Sequence, residues 1–374
     1  MKSLTTIPKT KKGRALVRVD FNVPLKGNKI LDTRRIDAAV ASIQTLQRKG
    51  YQVLLLAHLG DASLSLRPIA TYLSNKFKTV FITEPLYNTS AIVELCAAVT
   101  QDTVMLFENI RQYPEEEKNA ASFSKTLAGL AEVYVNDAFS VSHRAHASVV
   151  GVPRYLPSYA GIQLEKELRA IAPLFENKKH PFLFILGGAK FSTKIPLLKR
   201  FIKDADQVVI AGAILNAFYK TAGLEVGRSV VENGYEKEIA TLLRSPKVLL
   251  PVDVVVLRDE KKTAVTIDAV EKGDVIVDIG PQSVALIAAK IAQAKVVVWN
   301  GPTGWYEKGF TKGTLGLADA MASTKASVLI GGGDTGAVVE QKTLGKKNIF
   351  VSTGGGATIE YLAKGTLPGI QSLK

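Results

Sequence analysis

The chain has 374 residues, of which 47% are hydrophobic and 22% charged, and this composition is typical of a globular protein with about two domains. No apolar run approaches the ~18 residues needed to span a bilayer, and the N-terminus has no apolar signal segment. The single cysteine, Cys96, excludes internal disulfides and clustered-thiolate metal sites. We therefore expect a cytoplasmic protein. The net charge of +14 favours small anionic substrates over specific nucleic-acid binding, because neither a basic run with interleaved aromatic residues nor a zinc-finger spacing accompanies it.

Four predicted strands in the first 150 residues each end in polar residues. These ends are, in chain order, Asp20 with Asn22, His58, Glu108–Arg111 and Asn136–Asp137. Ligands of open α/β sheets collect at such carboxyl strand ends. Taken singly, Asp20 and Asn22 fit a solvated turn better than a ligand site, and a lone histidine at a strand end is more often a polar cap.

Arginines lie close to the same strand ends in the sequence. They are Arg18, Arg35, Arg111 and Arg144. Arg34 and Arg35 lie at the start of an amphipathic helix predicted over residues 34–46, where a cation opposes the helix dipole, so we expect one of the two to have an anionic partner. Several arginines at one sheet edge are typical of a doubly wound domain with a basic cleft. The acidic patch Glu115–Glu117 is interpreted as the solvated start of a helix.

A proline-containing segment, Gly151–Tyr159, is predicted to link two domains, and a helix is predicted over 162–175. A second α/β series follows. Its strands are predicted at 181–186, 207–211, 248–256, 274–279, 295–299, 327–330 and 348–352, and glycines follow nearly every one. Glycine-rich strand ends let a ligand approach the backbone closely, which favours a nucleotide site.

The segment Val328–Ala337 combines an apolar strand, a glycine turn and the start of a helix, whose free N–H groups favour phosphate. Asp334 in this turn is either the helix N-cap or a ligand of a metal ion carried by the phosphate, and the local residues leave both open. Gly331-x-Gly333-x-x-Gly336 also satisfies the dinucleotide pattern, but no acidic residue ends the next strand to hold a ribose. We interpret that match as accidental, and no P-loop motif occurs in the sequence.

Together the motifs resemble the phosphoglycerate kinase family from end to end. The matching segments are Arg18–Pro24, Arg35–Ile36, His58–Gly60, Glu108–Arg111, Asn136–Phe139, His143–His146, Gly187–Lys190, Lys194–Ile195, Asp278–Gln282, Trp299–Pro302, Gly331–Thr335 and Ser352–Ala357. Individually only 18–24 and 299–302 are specific, so the resemblance rests on the order and spacing of the whole set.

The resemblance implies an α/β fold of two doubly wound, Rossmann-like parallel-sheet domains joined by a hinge helix. It implies a 3-phosphoglycerate-binding domain over 1–158, a hinge helix over 159–176, a nucleotide-binding domain over 177–352 and a tail over 353–374 that packs back toward the first domain. The implied reaction is reversible phosphoryl transfer between 1,3-bisphosphoglycerate and ADP, giving 3-phosphoglycerate and ATP, in glycolysis and gluconeogenesis. It also implies a monomer that uses Mg²⁺ and has no membrane or specific nucleic-acid partner.

The resemblance carries over site residues as well. The implied substrate-binding residues are Asp20, Phe21, Asn22, Arg35, His58, Leu59, Gly60, Asp61, Arg111 and Arg144. The implied nucleotide-binding residues are Gly188, Lys190, Lys194, Gly212, Gly280, Asn300, Glu307, Gly332, Gly333, Asp334 and Thr335, with Glu307 at the ribose and Asp334 holding Mg²⁺. The implied catalytic residues are Arg35, Lys190, Lys194, Gly333 and Gly355.

The residue types suit this chemistry. A carboxylate that attacks ATP is already ionised at neutral pH, so no general base is required. The reaction needs positioning and neutralisation of negative charge on a loose phosphoryl transition state. Lys190, Lys194, Arg35, Mg²⁺ and the N–H groups of two glycine-led helices would supply both.

Three segments depart from the family pattern. Asp61 stands where the family has an arginine that contacts substrate, in a shortened loop, and should weaken binding by about one to a few kcal/mol and raise KM for 3-phosphoglycerate. Ala211-Gly-Ala-Ile214 replaces a Gly-Gly-Gly-Met, and Thr303 with Trp305-Tyr306 replaces apolar residues beside Glu307. Both changes leave the base preference open.

Three other functions remain as alternatives. A catalytically idle family member could act as a nucleotide or triose-phosphate binding module, although the intact Lys190, Lys194, Arg35 and Asp334 argue against it. Nucleic-acid binding would show a steep dependence on salt. A dinucleotide dehydrogenase would need the ribose-binding acidic residue that this chain lacks.

Overall fold

The structure is a computed structural model that describes residues 1–173, 179–343 and 345–373. The chain divides into two compact units: unit 1 is Met1–Arg169 with Thr366–Lys374, and unit 2 is Ala170–Gly365. The division falls inside a helix, Ile162–Ile171, where a hinge helix was predicted. Residues 174–176 of that prediction lie outside the described ranges. No helix in the described ranges is long and apolar enough to cross a membrane.

Unit 1 is built on a six-stranded sheet in which every neighbouring pair is parallel. Its strands are β1 (Gly13–Arg18), β4 (Tyr51–Leu56), β5 (Thr79–Ile82), β6 (Val104–Phe107), β7 (Val133–Asn136) and β8 (Ser158–Ala160), in the spatial order β5-β6-β4-β1-β7-β8. β4, β6 and β7 are buried at every residue, because helices cover both faces of a parallel sheet. A two-stranded ribbon, β2 (Leu25–Lys26) and β3 (Lys29–Ile30), follows β1.

The helices of unit 1 surround this sheet. They are α1 (Arg34–Ala38), α2 (Val40–Arg48), α3 (Arg67–Leu73), α4 (Thr89–Ala98), α5 (Pro114–Glu117), α6 (Ala121–Ala128), α7 (Ile162–Ile171, shared with unit 2) and α15 (Pro368–Gln371), with a π-helical turn at Ala147–Gly151. The single helix predicted over 34–46 is therefore two helices that meet at Ala39. Both sheet-edge strands, β5 and β8, were not predicted, because they are short and have no polar residue of the repeated kind at their ends.

Unit 2 repeats the architecture. Its parallel sheet has the order β11-β10-β9-β15-β16-β17, with β9 (Phe182–Leu186), β10 (Gln207–Ile210), β11 (Val248–Leu249), β15 (Val296–Asn300), β16 (Ser327–Gly331) and β17 (Ile349–Val351). Its helices are α8 (Ile195–Asp204), α9 (Ile214–Thr221), α10 (Glu236–Leu243), α11 (Pro281–Gln293), α12 (Lys312–Ser323), α13 (Gly333–Thr343) and α14 (Gly356–Lys364). Two parallel-sheet α/β units confirm the predicted fold class.

A separate antiparallel sheet in unit 2 corrects one strand prediction and contains a strand that was not predicted. It consists of β12 (Asp253–Arg258), β13 (Lys261–Thr266) and β14 (Val275–Ile279). The strand predicted over 248–256 is interrupted at Pro251, which has no N–H to donate to a ladder, and only its first part joins the parallel sheet. β13 was missed because most of its side chains are exposed, and a two-residue turn with both φ angles positive joins it to β12.

The C-terminal residues of the chain return to unit 1, and the tail predicted over 353–374 stays a prediction. α14 belongs to unit 2, and unit 1 takes in the chain only from Thr366 onward, not from residue 353. Within unit 1, the Gly369 N–H donates to the Ser142 carbonyl at 2.8 Å, and the Ser372 hydroxyl donates to the Val149 carbonyl at 3.2 Å. The tail therefore packs beside the π-helical turn.

Candidate active site

The carboxyl end of β1 in unit 1 is tied to the loop after β4. Arg35 Nη1 lies 3.1 Å from Asp20 Oδ2 and donates to the Asn22 carbonyl at 3.1 Å. The Ser140 hydroxyl donates to Asp20 Oδ2 at 2.6 Å. Asn22 Oδ1 accepts from the Gly60 N–H at 2.9 Å. Asp20 and Asn22 therefore orient Arg35 and the loop after β4 through these hydrogen bonds. They do not form the solvated turn that either residue alone would predict.

Asn109 fixes the shape of the loop after β4. Its buried Nδ2 lies 2.8 Å from the carbonyl oxygens of Leu59, Asp61 and Leu64, and its Oδ1 accepts from the Leu59 N–H at 3.3 Å. Gly60 in this loop has φ +49°, a left-handed conformation that favours glycine. One amide side chain thus contacts three backbone carbonyl oxygens of this loop.

His58 lies at the carboxyl end of β4, almost fully buried, above an equally buried Arg18. Arg18 Nη2 lies 3.1 Å from His58 Nδ1, and Arg18 Nη1 donates to the Val19 carbonyl at 2.5 Å. Burial, helped by the charges of Arg18 and other nearby cations, lowers the pKa of His58 from its usual value to about 2. His58 is therefore a neutral imidazole at physiological pH.

Two half-buried arginines, Arg111 and Arg144, face the same region. Arg111 donates to the Gly60 carbonyl and lies 3.6 Å from Glu117 Oε1. Among the described residues, the Arg144 guanidinium has no hydrogen-bond or ion-pair partner. Burial and then the positive charge of Arg111 lower the pKa of Arg144, which means that the two cations repel each other. An anion placed between them would relieve that repulsion.

Glu116 corrects the prediction that the whole acidic patch on α5 is solvated. It is almost fully buried, and its carboxylate accepts from the Ser148 N–H at 2.8 Å and from the Ser148 hydroxyl at 2.5 Å. The Ser148 hydroxyl accepts in turn from Arg18 Nε at 2.9 Å, and the Tyr134 hydroxyl donates to the Ser148 carbonyl at 2.6 Å. Burial raises the pKa of Glu116, while Arg18 and Ser148 oppose the shift.

Three further residues of unit 1, Phe21, Leu59 and Asp61, were predicted to bind substrate. Phe21 and Leu59 are buried in the hydrophobic core of unit 1, so any ligand contact would come from their backbone and not from their side chains. Asp61 is exposed, and its Oδ1 accepts from the Ser63 N–H at 2.8 Å and from the Ser63 hydroxyl at 2.5 Å. These two bonds lower the pKa of Asp61 and keep it ionised.

Unit 2 contains a cavity of about 340 Å³ at the carboxyl side of its parallel sheet, within the size range of small-molecule sites. Glycine backbone and apolar side chains form most of its wall, and Val230, Trp305 and Glu307 belong to its lining. The Trp305 side chain is 44% exposed there. Of the two alanines that depart from the family pattern, Ala213 lines this cavity, whereas Ala211 is buried at the end of β10.

Three loops of unit 2 meet backbone to backbone beside this cavity. Gly188, Gly212 and Gly301 have φ of +90°, +67° and +91°. A Cβ on Gly212 would lie 2.4 Å from the Gly188 nitrogen, and one on Gly301 would lie 2.3 Å from the Gly187 oxygen. The Gly188 N–H donates to the Pro302 carbonyl at 2.9 Å. Glycine is therefore required at this junction both for its conformation and for the space.

Lys194, next to α8, reaches across to the carboxyl end of β15, where its Nζ donates to Asn300 Oδ1. Asn300 is fully buried, and its Nδ2 has no hydrogen-bond partner among the described residues. A Cβ on Gly331 would lie 3.1 Å from this nitrogen, so the orphan donor faces the glycine turn after β16. Lys190 is exposed on the preceding loop. An ammonium, an unpaired amide N–H and glycine N–H groups suit a phosphate.

Other predicted nucleotide-binding residues have structural roles. Thr335 is buried, and its hydroxyl accepts from the Gly301 N–H at 3.0 Å, which joins α13 to the glycine junction. Gly280 is the N-cap of α11, where a Cβ would lie 2.2 Å from an Asp253 carboxylate oxygen, and it does not line the cavity. Gly355 precedes α14 with φ +52°.

The backbone of Gly332, Gly333 and Asp334 leads into α13, which begins at Gly333. Gly332 has φ +103°. The side chain of Asp334 lies outside the part of the chain that the structure describes. Its two interpretations, helix cap and metal ligand, therefore both stay open, and the magnesium site remains a prediction.

The matches to known proteins extend over nearly the whole chain. The family model for phosphoglycerate kinase matches residues 5–365. The chain belongs to the phosphoglycerate kinase family. It is 41% identical over 378 residues to the phosphoglycerate kinase of Dictyoglomus turgidum, covering 96% of this chain and 95% of the relative. It is 42% identical over 381 residues to that of Nostoc punctiforme, with the same coverage of 96% and 95%.

Solved structures of the phosphoglycerate kinase family are similar across the fold. The enzyme of Coxiella burnetii matches with a TM-score of 0.85 and 35% identity, covering 99% of this chain and 97% of the other. That of Pyrococcus horikoshii matches with a TM-score of 0.88 and 26% identity, covering 100% and 98%. The resemblance seen in the sequence is thereby confirmed.

Sequence reasoning did not find every residue that shapes the cleft of unit 1. Asn109 lies in a matching motif, but nothing in its type indicates that it holds a loop. Glu116 and Ser148 carry no motif, and a run of three glutamates at a helix start resembles an ordinary solvated end. The missing signal is burial, which only the fold supplies.

Proposed function

We propose that this chain is an active phosphoglycerate kinase, which transfers a phosphoryl group reversibly between 1,3-bisphosphoglycerate and ADP. The observation that carries the proposal is the pair of half-buried, mutually repelling arginines in unit 1, since Arg144 lacks a partner among the described residues. Two cations that are held close together despite their repulsion are stabilised by an anion that binds between them. The proposal assigns 3-phosphoglycerate to this cleft and the nucleotide to the cavity of unit 2.

In unit 1, Arg35, Arg111 and Arg144 would neutralise the phosphate and carboxylate of the triose. Asp20 and Asn22 orient Arg35 and the loop after β4, and Asn109 keeps that loop in place. A carboxylate oxygen of 3-phosphoglycerate attacks the γ-phosphorus of ATP, the bond from that phosphorus to the β-phosphate oxygen breaks, and ADP leaves. No proton moves, because the attacking group is already ionised.

In unit 2, the orphan Nδ2 of Asn300 and the ammonium of Lys194 would bind phosphate oxygens, and the exposed Lys190 would reach the same group. Asn300 and Lys194 hold each other in place before the substrate arrives, and such preorganised donors stabilise a charged transition state. A bound Mg²⁺ would neutralise phosphate charge, and we propose Asp334 as its ligand. Gly333 and Gly355, ahead of α13 and α14, would add backbone N–H groups.

Transfer requires the two substrates to meet in a place that excludes water. We therefore propose that the units close about the hinge around α7, as lids and domains close in other kinases. We further propose that the protein acts as a cytoplasmic monomer.

A coupled assay of the purified protein with Mg-ATP and 3-phosphoglycerate, in which NADH oxidation is the readout, tests the proposal. We expect saturable turnover that Lys194→Ala lowers by about 10³-fold, because one preorganised donor to the transition state is worth that much. Lys199→Ala on the solvent side of α8 is the control and should retain turnover. Wild-type protein that binds nucleotide without turnover would instead support the idle binding module.

A further inference from the structure

The buried chain Glu116, Ser148, Arg18 and His58 lies directly beneath the basic cleft. Each link is a hydrogen bond: Ser148 Oγ donates to Glu116 at 2.5 Å, Arg18 Nε donates to Ser148 Oγ at 2.9 Å, and Arg18 Nη2 lies 3.1 Å from His58 Nδ1. All four side chains are at least nine-tenths buried. The family resemblance implies that His58, at the end of this chain, binds substrate, and the proposed function assigns nothing to the other three.

The direction of each bond follows from the donor inventory. A guanidinium has N–H donors and no acceptor, so His58 Nδ1 must accept from Arg18 and carries no proton. In a neutral imidazole the proton then lies on Nε2, at the opposite edge of the ring. Nε2 has no hydrogen-bond partner among the described residues, so it is available to a ligand. The Ser148 hydroxyl likewise has one arrangement, accepting from Arg18 and donating to Glu116.

The charges around this chain are balanced within the buried layer. Glu116 is the negative partner of buried Arg18, and His146 Nδ1 lies 3.8 Å from Glu116 Oε1. Arg111 and Arg144 act on His58 from the cleft side, and burial and Arg144 lower the pKa of His146 to about 4. A protonated His58 would therefore add a cation to a region that already holds three arginines.

We propose that Glu116 is a positioning residue which, through Ser148 and Arg18, holds His58 as the neutral Nε2–H tautomer that donates to an oxygen of the bound phosphoglycerate. This role deepens the proposed function and rests on it for the identity of the ligand. Two further contacts hold the relay in place. Tyr134 pins the Ser148 carbonyl at 2.6 Å, and the π-helical turn aims both the N–H and the hydroxyl of Ser148 at one carboxylate. π-helical turns are often found at functional sites.

The first measurement examines the wild-type protein. The chain has only four histidines, so two-bond ¹H–¹⁵N correlation spectra of ¹⁵N-histidine-labelled protein are simple, and His58→Gln assigns the signal. We expect the wild-type His58 pattern of a protonated Nε2 and a bare Nδ1, unchanged from about pH 5.5 to about pH 8. An imidazolium pattern, or a protonated Nδ1, would overturn the proposal whatever the activity of the enzyme.

The second measurement separates positioning from a merely structural role. In Glu116→Gln, one of the two carboxylate oxygens that accept from Ser148 becomes an NH2 donor facing a Ser148 donor. We therefore expect mixed His58 tautomers and a KM for 3-phosphoglycerate raised about tenfold, as for loss of a charged hydrogen bond. KM for Mg-ATP should not change. Ser148→Ala should act in the same direction, because Arg18 Nε loses its acceptor.

Glu115→Gln is the matched control on α5, since it removes the same charge outside the relay. Unchanged His58 spectra and KM in folded Glu116→Gln and Ser148→Ala would overturn the positioning role. Should Glu116→Gln fail to fold, Ser148→Ala and the wild-type spectrum still decide. Failure of the proposed function would appear separately, as absence of wild-type turnover with the His58 tautomer intact.

Discussion

The two candidate sites of this chain are built on sheets of the same kind but from different materials. In unit 1 the cleft consists of charged side chains held by other side chains, with Asp20, Asn109 and Glu116 each making several hydrogen bonds. In unit 2 the cavity is formed mostly by glycine backbone and apolar side chains, and glycines allow three loops to approach within contact distance. Side-chain pairs beside it include Lys194 with Asn300 and Thr303 with Asp278.

The difference suits two kinds of ligand. A small, highly charged triose acid offers several anionic oxygens within a short span, so separate cations can each bind one group. A nucleotide is larger and mostly apolar at its base, so it needs a preformed, uncharged surface with a few polar groups. The sites should therefore respond to opposite kinds of substitution: loss of a side chain in unit 1, and addition of one in unit 2.

Gly212→Ala tests the backbone site and should have the largest effect. The new Cβ would meet backbone atoms of Gly188 at 2.4 and 2.7 Å, and φ is +67°, so the loops must separate. We expect kcat/KM for Mg-ATP to fall by about 10²-fold, as for a displacement of about 1 Å at a reacting group. KM for 3-phosphoglycerate should be unchanged.

Gly223→Ala is the matched control for that substitution. Its φ is +84°, but nothing lies within 4 Å of the added Cβ, so it carries the conformational strain alone. That strain should lower the free energy of unfolding by about 1–2 kcal/mol and leave both KM values as they were. Equal kinetic effects from the two variants would mean that close approach of the backbone is not what shapes the site.

Arg144→Gln tests the side-chain site. The substitution removes one of two repelling, half-buried cations, so KM for 3-phosphoglycerate should rise roughly 10- to 100-fold, the range for a charged hydrogen bond. The thermal midpoint of the ligand-free protein should rise slightly, because the repulsion disappears. Steady-state kinetics and thermal unfolding measure the two effects.

The control for this pair of effects is Arg154→Gln, which removes the same charge from an exposed position. It should leave KM and the thermal midpoint close to wild type. A fall in thermal midpoint for Arg144→Gln would contradict the inference that Arg144 and Arg111 repel each other in the ligand-free protein.

The sequence allowed most of this comparison to be predicted, for identifiable reasons. Parallel strands of buried residues are continuous apolar segments that end in polar or glycine residues, so β1, β4, β9 and β15 were predictable. The division into two α/β domains followed from the two series of such strands. Arg35, Arg111 and Arg144 were singled out because cations near strand ends repeat in the sequence, whereas the role of Lys194 was implied by the family resemblance alone.

The rest depended on burial and long-range pairing, which residue types do not reveal. β13 has the exposed residues of a loop, and becomes a strand only because β12 pairs with it. Glu116 resembles its solvated neighbours until the fold places Ser148 against it across 32 residues of chain. Gly280 resembles a ligand-contacting glycine, but the space beside it is filled by Asp253. Local chemistry therefore predicted candidate binding groups, and tertiary packing determines which other groups hold those candidates in place.

Asp61→Arg should have the smallest effect of these substitutions, and it tests an exposed residue at the periphery of the site in unit 1. The family arginine at this position would add a cation to the cleft, and Asp61 instead presents an ionised carboxylate held by Ser63. Because Asp61 is exposed, water screens its charge, and the loss expected from its sequence is reduced to that of a surface ion pair. We expect KM for 3-phosphoglycerate to fall about two- to fivefold, with KM for Mg-ATP unchanged.

Salt dependence separates charge from shape in this last case. If Asp61 acts through its charge, the gain from Asp61→Arg should shrink as ionic strength rises toward about 1 M, where the screening length is about 3 Å. Asp61→Asn should give part of the gain, since it removes the anion without adding a cation. A KM that neither substitution changes would mean that the loop after β4 holds Asp61 too far from the ligand to matter, and that the buried arginines alone set the affinity of the cleft.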